Sequence, residues 1–154
     1  MPDDFEKKVI EECKHHNNIF IFVSKKDEVN TLPIIEFLLK QNKNIIVPVI
    51  RGKGLILSKI DTTFDLEPST YGILEPTSII PFEKRDIDIF FVPGTFFDKN
   101  RNRKGRGKGY FDRFLIDIKG KKPIVGLCKS SQYVDILQPK ETDIPVDKVI
   151  IRIK

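Results

Sequence analysis

The stretch from Ile87 to Leu115 constrains the fold most. It opens as an apolar β-forming run (Ile87–Val92, IDIFFV) and turns at Pro93-Gly94. It then crosses a basic loop with three alternating glycines, Gly105, Gly107 and Gly109, and runs into a segment with helical spacing. A buried strand leading through a loop into a helix is half of a parallel βαβ unit, because parallel strands need a crossover connection. Glycines let backbone come close to a ligand, and orphan N–H groups at a helix start favour anions. The stretch therefore reads as a phosphate cradle.

The rest of the chain repeats the alternation. Asp4–His16 reads as a helix, with Phe5, Val9 and Cys13 four residues apart and Asp3 or Asp4 as cap. Asn18–Val23 is a buried strand and Ser24–Asn30 a polar loop. Thr31 is positioned to cap a second helix that carries Pro33 in its first turn. Asn44–Ile50 is a strand whose Pro48 argues for a strand end or edge. Leu55–Ile60 reads as a short strand. Asp61–Ser78 reads as irregular, with an ordered loop at Tyr71–Pro76 (YGILEP). A helix is expected over Lys108–Lys119, and strands over Pro123–Cys128 and Lys148–Ile153. Strands separated by helices predict an α/β protein with a mainly parallel sheet. Its ligands gather beyond the C-terminal strand ends, where the loops after Val23 and Val92 both lie.

Charge is localised. The chain of 154 residues carries a formal charge of +5. Lys99, Arg101, Arg103, Lys104, Arg106 and Lys108 supply six positive charges with no acid between them, so the remainder sums to 5 − 6 = −1. That pattern favours one anion site over a broad nucleic-acid surface. A nucleic-acid reading would use RNRKGRGK, with Phe96, Phe97 and Tyr110 as stacking groups, and it stands behind for that reason. No apolar run approaches the ~20 residues needed to span a bilayer. The N-terminus has no apolar segment of the signal-peptide kind. Cys13 and Cys128 lack metal or redox spacing. A single cytoplasmic domain over 1–154 with reduced thiols is expected, as a monomer or weak dimer.

The candidate site residues each have a plain alternative. Gly105-Arg106-Gly107-Lys108-Gly109 fits neither the P-loop nor the dinucleotide spacing, and taken alone is a weak signal, with a mobile surface loop as the alternative. Asp112, one turn into the expected helix, is placed to hold Mg²⁺ or simply to satisfy the helix dipole. Tyr110 is suited to stack on a flat ring. Asp27 and Glu28 can accept hydrogen bonds from a heterocycle or form an ordinary turn. Asp143 and Asp147, in ETDIPVD, suit turn chemistry.

The stretch VPGTFFDKNRNRKGRGKGYFDRFL closely resembles the signature of the 5-formyltetrahydrofolate cyclo-ligase (5,10-methenyltetrahydrofolate synthetase) family. There it reads approximately as P-G, a Phe-Asp, then N/G-x-R-x-G-x-G-x-G-Y-Y/F-D. The resemblance extends to IFIFVSKKDEVNTLPIIEFLLKQNKNIIVPVI, YGILEP and ETDIPVDKVI, in the right order. It implies a three-layer α/β/α, Rossmann-like fold and an ATP- and Mg²⁺-dependent reaction that closes 5-formyltetrahydrofolate, or a related reduced formyl-pterin, to the 5,10-methenyl form with release of ADP and phosphate. Carried over by position, Arg103, Lys104, Gly105, Arg106, Gly107, Lys108, Gly109, Tyr110 and Phe111 bind ATP, with Arg106 and Lys108 catalytic. Val23, Glu28 and Arg106–Tyr110 border the pterin. Asp112 and Asp143 hold Mg²⁺. The chain departs from the pattern in Lys104 (commonly Leu) and Phe111 (commonly Tyr). The family also has an N-terminal helical region with a K-x-x-x-R-type pattern, and Lys7, Lys8 and Lys14 do not align with it. This is the expectation of a short form lacking that basic helix. A non-catalytic homologue that binds nucleotide or pterin is the alternative.

Overall fold

The computed structural model describes residues 1–70 and 72–153, so Tyr71 of the YGILEP loop lies outside the described residues. Helix α1 spans Asp4–Glu12, β1 Asn18–Ile21, α2 Leu32–Lys40, β2 Asn44–Arg51 and β3 Gly54–Ile60. Then come β4 Leu66–Pro68, β5 Leu74–Pro76, β6 Ile89–Val92, β7 Phe96–Asp98 and β8 Arg103–Lys104. Helix α3 is Tyr110–Leu115, followed by β9 Ile124–Lys129, β10 Tyr133–Val134 and β11 Lys148–Arg152.

A six-stranded sheet in the order β11-β9-β6-β1-β2-β3 forms the centre. Its first five strands are parallel, and β3 returns antiparallel on β2. Alternation along the strands divides the core between two faces. Ile19, Ile21, Ile45, Val47, Ile89 and Phe91 pack with Phe5 and Val9 of α1 and Ile34, Ile35 and Leu38 of α2. Phe20, Ile46, Phe90 and Val92 pack with Phe114 and Leu115 of α3. Ring centroids on that second face lie 5.0 Å apart for Phe20–Phe114 and 5.8 Å for the edge-to-face pair Phe90–Phe114. The result is the expected three-layer α/β/α arrangement. No helix among the described residues is long and apolar enough to cross a membrane. Cys13 and Cys128 are free and buried, and burial pushes both thiols up to about 12.

The chain runs from β1 to β2 on one side and returns to β6 on the other side of β1. The loops after β1 and β6 therefore part at a topological switch point, where open α/β sheets place ligands.

Local expectations needed correction where side chains redirect the backbone. The expected strand over Asn18–Val23 ends at Ile21, because the Phe22 carbonyl accepts from Thr31 Oγ1 (2.8 Å) instead of continuing the ladder. Thr31 thus ties the loop shut and makes no side-chain cap on α2. Helix α1 gives way to i→i+3 turns after Glu12. Helix α3 stops at Leu115, and the chain continues in turns to Gly120, whose φ is 83°. Pro48 sits inside β2 between two neighbours, not on an edge strand. Pairing with β1 stops at Ile46, however, so Pro48 lies where that neighbour has ended. Asp61–Ser78, expected to be irregular, contains the β4–β5 hairpin. Its buried Glu75 accepts from Ile50 N (2.9 Å) and covers β2 beyond the end of β1.

Candidate functional site

The basic loop has a built floor. Phe96–Asp98 pairs antiparallel with Arg103–Lys104 and parallel with Tyr133–Val134, a small sheet that the loop's polar sequence conceals. Phe97 and Asp98 are fully buried. Arg103 is buried too, at 4% exposure, and its Nε donates to Pro93 O at 2.6 Å. Its Nη1 reaches Asp112 Oδ1 at 3.4 Å, and its guanidinium lies 5.3 Å from the Phe111 ring centroid. Burial pulls the Arg103 pKa down, while the charges of Asp112, Asp143 and Glu28 oppose that shift. Asp112 is thus paired with a cation under the loop, and the charges of Asp143 and Glu28 act on that same cation without an ion pair to it. Gly105 lies directly above it: a Cβ there would meet the guanidinium at 3.3 Å.

The crest is exposed. Lys104, Arg106 and Lys108 face solvent. Gly107 and Gly109 take φ of 96° and 72°, where a side chain is strained, so the loop turns back into α3 only with glycine there. Helix α3 has six residues, which makes it too short to act as an anion-binding helix start. The exposed donors here are the cations and the loop N–H groups.

The opposite wall is the loop after β1. Lys25 N donates to Glu28 Oε1 at 2.8 Å, and Ser24 is held from both sides by Thr31 and Asn30. Arg106 Nη2 crosses to this wall, bonding Asp27 Oδ1 and Oδ2 at 3.0 and 2.9 Å, with Glu28 Oε2 at 3.6 Å. The hydrogen bond from Arg106 holds the Asp27 carboxyl below its usual range. Val23 lies beneath in the core, at 2% exposure.

A third wall is the β2–β3 turn. Tyr110 donates its hydroxyl to Gly52 O at 3.2 Å. Arg113 bridges Lys108 O (3.0 Å) and Lys53 O. A groove of about 430 Å³ runs alongside, lined by Leu55, Leu57, Phe82, Tyr110, Arg113 and Phe114. Sequence reasoning passed over Arg113 and Asp98. The signal for Arg113 was its i+3 spacing from Tyr110, which puts both on one helical face. For Asp98 it was the Asp-x-x-x-Asn spacing of a side-chain-stabilised turn.

Asp112 Oδ1 accepts from Ile144 N at 3.0 Å as well as from Arg103, while Asp143 Oδ2 accepts from Lys140 N at 2.9 Å. Among the described residues, Asp112 Oδ2 and Asp143 Oδ1 accept no hydrogen bond. Among the described residues no group of three or more His, Cys, Asp or Glu could hold a metal. Mg²⁺ takes one or two carboxylates and completes its shell with phosphate and water, so this donor set fits it. Phe97, suggested for base stacking, is wholly buried and unable to stack on a nucleic acid. Lys7 and Lys8 line a groove beside β11, at the sheet edge away from this site, and Lys14 faces Glu11.

Comparison with known proteins places the chain in a family. The sequence pattern of the 5-formyltetrahydrofolate cyclo-ligase family matches residues 3–152. The 5-formyltetrahydrofolate cyclo-ligase of Haemophilus influenzae is 32% identical over 149 residues, covering 91% of this chain and 78% of that one. The Mus musculus cyclo-ligase is 31% identical over 159 residues, covering 94% and 78%. The solution structure of Aquifex aeolicus 5,10-methenyltetrahydrofolate synthetase superimposes with a TM-score of 0.77 at 31% identity, covering 96% of this chain and 77% of that one. The Mycoplasma pneumoniae synthetase shares the fold, with a TM-score of 0.73 at 23% identity over 95% and 81%. Matched almost end to end by that pattern and folded as those synthetases are, the chain is an enzyme of the 5-formyltetrahydrofolate cyclo-ligase family.

Proposed function

We propose that the protein closes 5-formyltetrahydrofolate, or a closely related formyl-pterin, to the 5,10-methenyl form at the expense of ATP. The γ-phosphoryl group passes to the formyl oxygen. The N10 nitrogen then attacks the activated carbon, its proton is lost, and the C–O bond breaks to release phosphate. ADP is the other product. The observation that carries this reading is the meeting of Arg106, from the glycine loop, with Asp27 and Glu28 from the loop after β1. It brings a phosphate-type wall and a heterocycle-type wall together at the switch point.

The roles follow from what each group has to offer. Arg106 commits Nη2 to Asp27, and its Nε and Nη1 remain to donate to the phosphoryl in flight. Lys104 and Lys108 add exposed positive charge, and Gly105–Gly109 offer backbone N–H groups at close approach. Such preorganised donors stabilise charge that develops during transfer. Glu28, with one oxygen fixed by Lys25 N, accepts from the N–H groups of the pterin, above Val23. Tyr110 and the groove beside it flank the ring. Phe111, against Arg103, belongs to the floor of the nucleotide side. Asp112 and Asp143 would hold Mg²⁺, which supplies charge neutralisation on the phosphate oxygens when bound.

The test mixes protein, Mg-ATP and 5-formyltetrahydrofolate and follows the methenyl chromophore. Product that depends on ATP is expected. Folded protein giving none, across several formyl-pterins, would sink the catalytic reading. Calorimetric binding of nucleotide or pterin without turnover would favour a binding homologue instead.

A further inference from the structure

We infer that Asp98 is a positioning residue that sets Asp143 beside the nucleotide loop, an inference resting on the proposed role of Asp143 toward Mg²⁺. Asp98 is fully buried, and among the described residues no cation is hydrogen-bonded to it. Both oxygens act purely as acceptors. Oδ1 takes Asn100 N (3.0 Å) and Asn102 N (2.9 Å), and Oδ2 takes Asn102 Nδ2 (3.0 Å) and Leu137 N (2.8 Å). Burial alone would raise its pKa, but those hydrogen bonds outweigh it and keep the carboxyl ionised below the usual range.

The geometry divides the carboxylate in two. Oδ1 shapes the entry of the basic loop, where Arg101 adopts a φ of 67°. Oδ2 reaches out of the loop to Leu137, at the start of the segment that carries Asp143. Two more bonds join that segment to the same loop and its helix: Val146 N to Arg101 O (2.9 Å) and Ile144 N to Asp112 Oδ1 (3.0 Å). Asp143 therefore lies on a strap fastened at Leu137, Ile144 and Val146, and Asp98 supplies the first fastening. An asparagine at 98 has one acceptor oxygen, so it can satisfy the Oδ1 side or the Oδ2 side but not both.

The test uses Asp98→Asn and Leu137→Pro, the second removing the N–H that reaches Asp98 while leaving the Asp98 carboxylate in place, though it also replaces the Leu137 side chain and fixes φ there. Calorimetry measures ATP affinity with excess Mg²⁺ and with chelator, and hydrogen exchange follows the Ile144 and Val146 amides. Both variants should lose roughly tenfold of the Mg²⁺-dependent gain in ATP affinity, as for loss of a metal ligand's support. ATP binding in chelator should move less than twofold, while Ile144 and Val146 exchange faster. An unchanged Mg²⁺-dependent gain in both variants overturns the inference, as does an equal fall with and without Mg²⁺. Wild-type protein that binds ATP without any Mg²⁺ dependence instead overturns the reading on which the inference rests.

Discussion

Arg103 and Arg106 stand three residues apart in one loop and have opposite surroundings. Arg103 is in the floor, at 4% side-chain exposure, with Asp112, a carbonyl and an aromatic ring around it. Arg106 is on the crest, at 41% exposure, and reaches across to Asp27 at 65%. A buried charge losing its partner is strongly destabilising, whereas an exposed pair contributes about 0–1 kcal/mol. One arginine should therefore matter for the presence of the loop, and the other for what the loop does.

The largest effect expected is from Arg103→Ala, which strands Asp112 at 14% exposure and empties the volume beneath Gly105. It should destabilise by about 3 kcal/mol in urea unfolding. A loss under 1 kcal/mol would erase the distinction. Arg106→Ala should leave stability within about 1 kcal/mol but slow methenyl formation on the order of 100-fold. A rate within threefold of wild type (about 0.6 kcal/mol) would remove Arg106 from the chemistry. Next comes Gly126→Ala in β9, whose Cβ would fall 2.3 Å from the Phe97 ring. Pushing Phe97 out of the floor should cost about 2 kcal/mol, visible as a lowered unfolding midpoint. On the crest, Gly107→Ala meets nothing within 4 Å and carries only the strain of φ at 96°. About 1 kcal/mol is expected, with a larger proportional fall in ATP affinity than in stability.

The smallest effect concerns pH. Asp27 has its folded pKa lowered below the ordinary 3.8, first by its bond from Arg106. The contribution of the pair is thus present above that unfolded value and lost as pH falls through the folded one. The stability difference between wild type and Asp27→Asn should be a few tenths of a kcal/mol at neutral pH and vanish once pH has fallen below the folded pKa, shrinking also in high salt. A difference that grows on acidification would mean that Asp27 has another partner.

Much of this molecule was legible from the chain. Apolar runs such as NIFIFV and DIDIFFV must be buried on both faces, which is why their parallel pairing and the two core layers matched expectation. The basic loop announced itself by charge. Other features were concealed because they depend on side chains far apart in sequence. The end of β1 was set by Thr31 bonding Phe22 rather than by propensity. The floor strands Phe96–Asp98, Arg103–Lys104 and Tyr133–Val134 are too short to carry a periodic signal. Lys and Arg in a loop look alike in sequence, so nothing there separated Arg103 from Arg106.

What the sequence by itself determined is the layer architecture, the mainly parallel sheet imposed by strand-helix alternation, and the place of the basic glycine loop after Val92. Hydrophobic periodicity and glycine chemistry are local, and they fix such features without knowing the partner. Only the tertiary structure decided which cation is buried and which acid receives Arg106. It also decided that Asp98 fastens the strap bearing Asp143. Those outcomes depend on which loops the sheet's switch point brings together, and on the cost of leaving a charge without a partner once it is out of water.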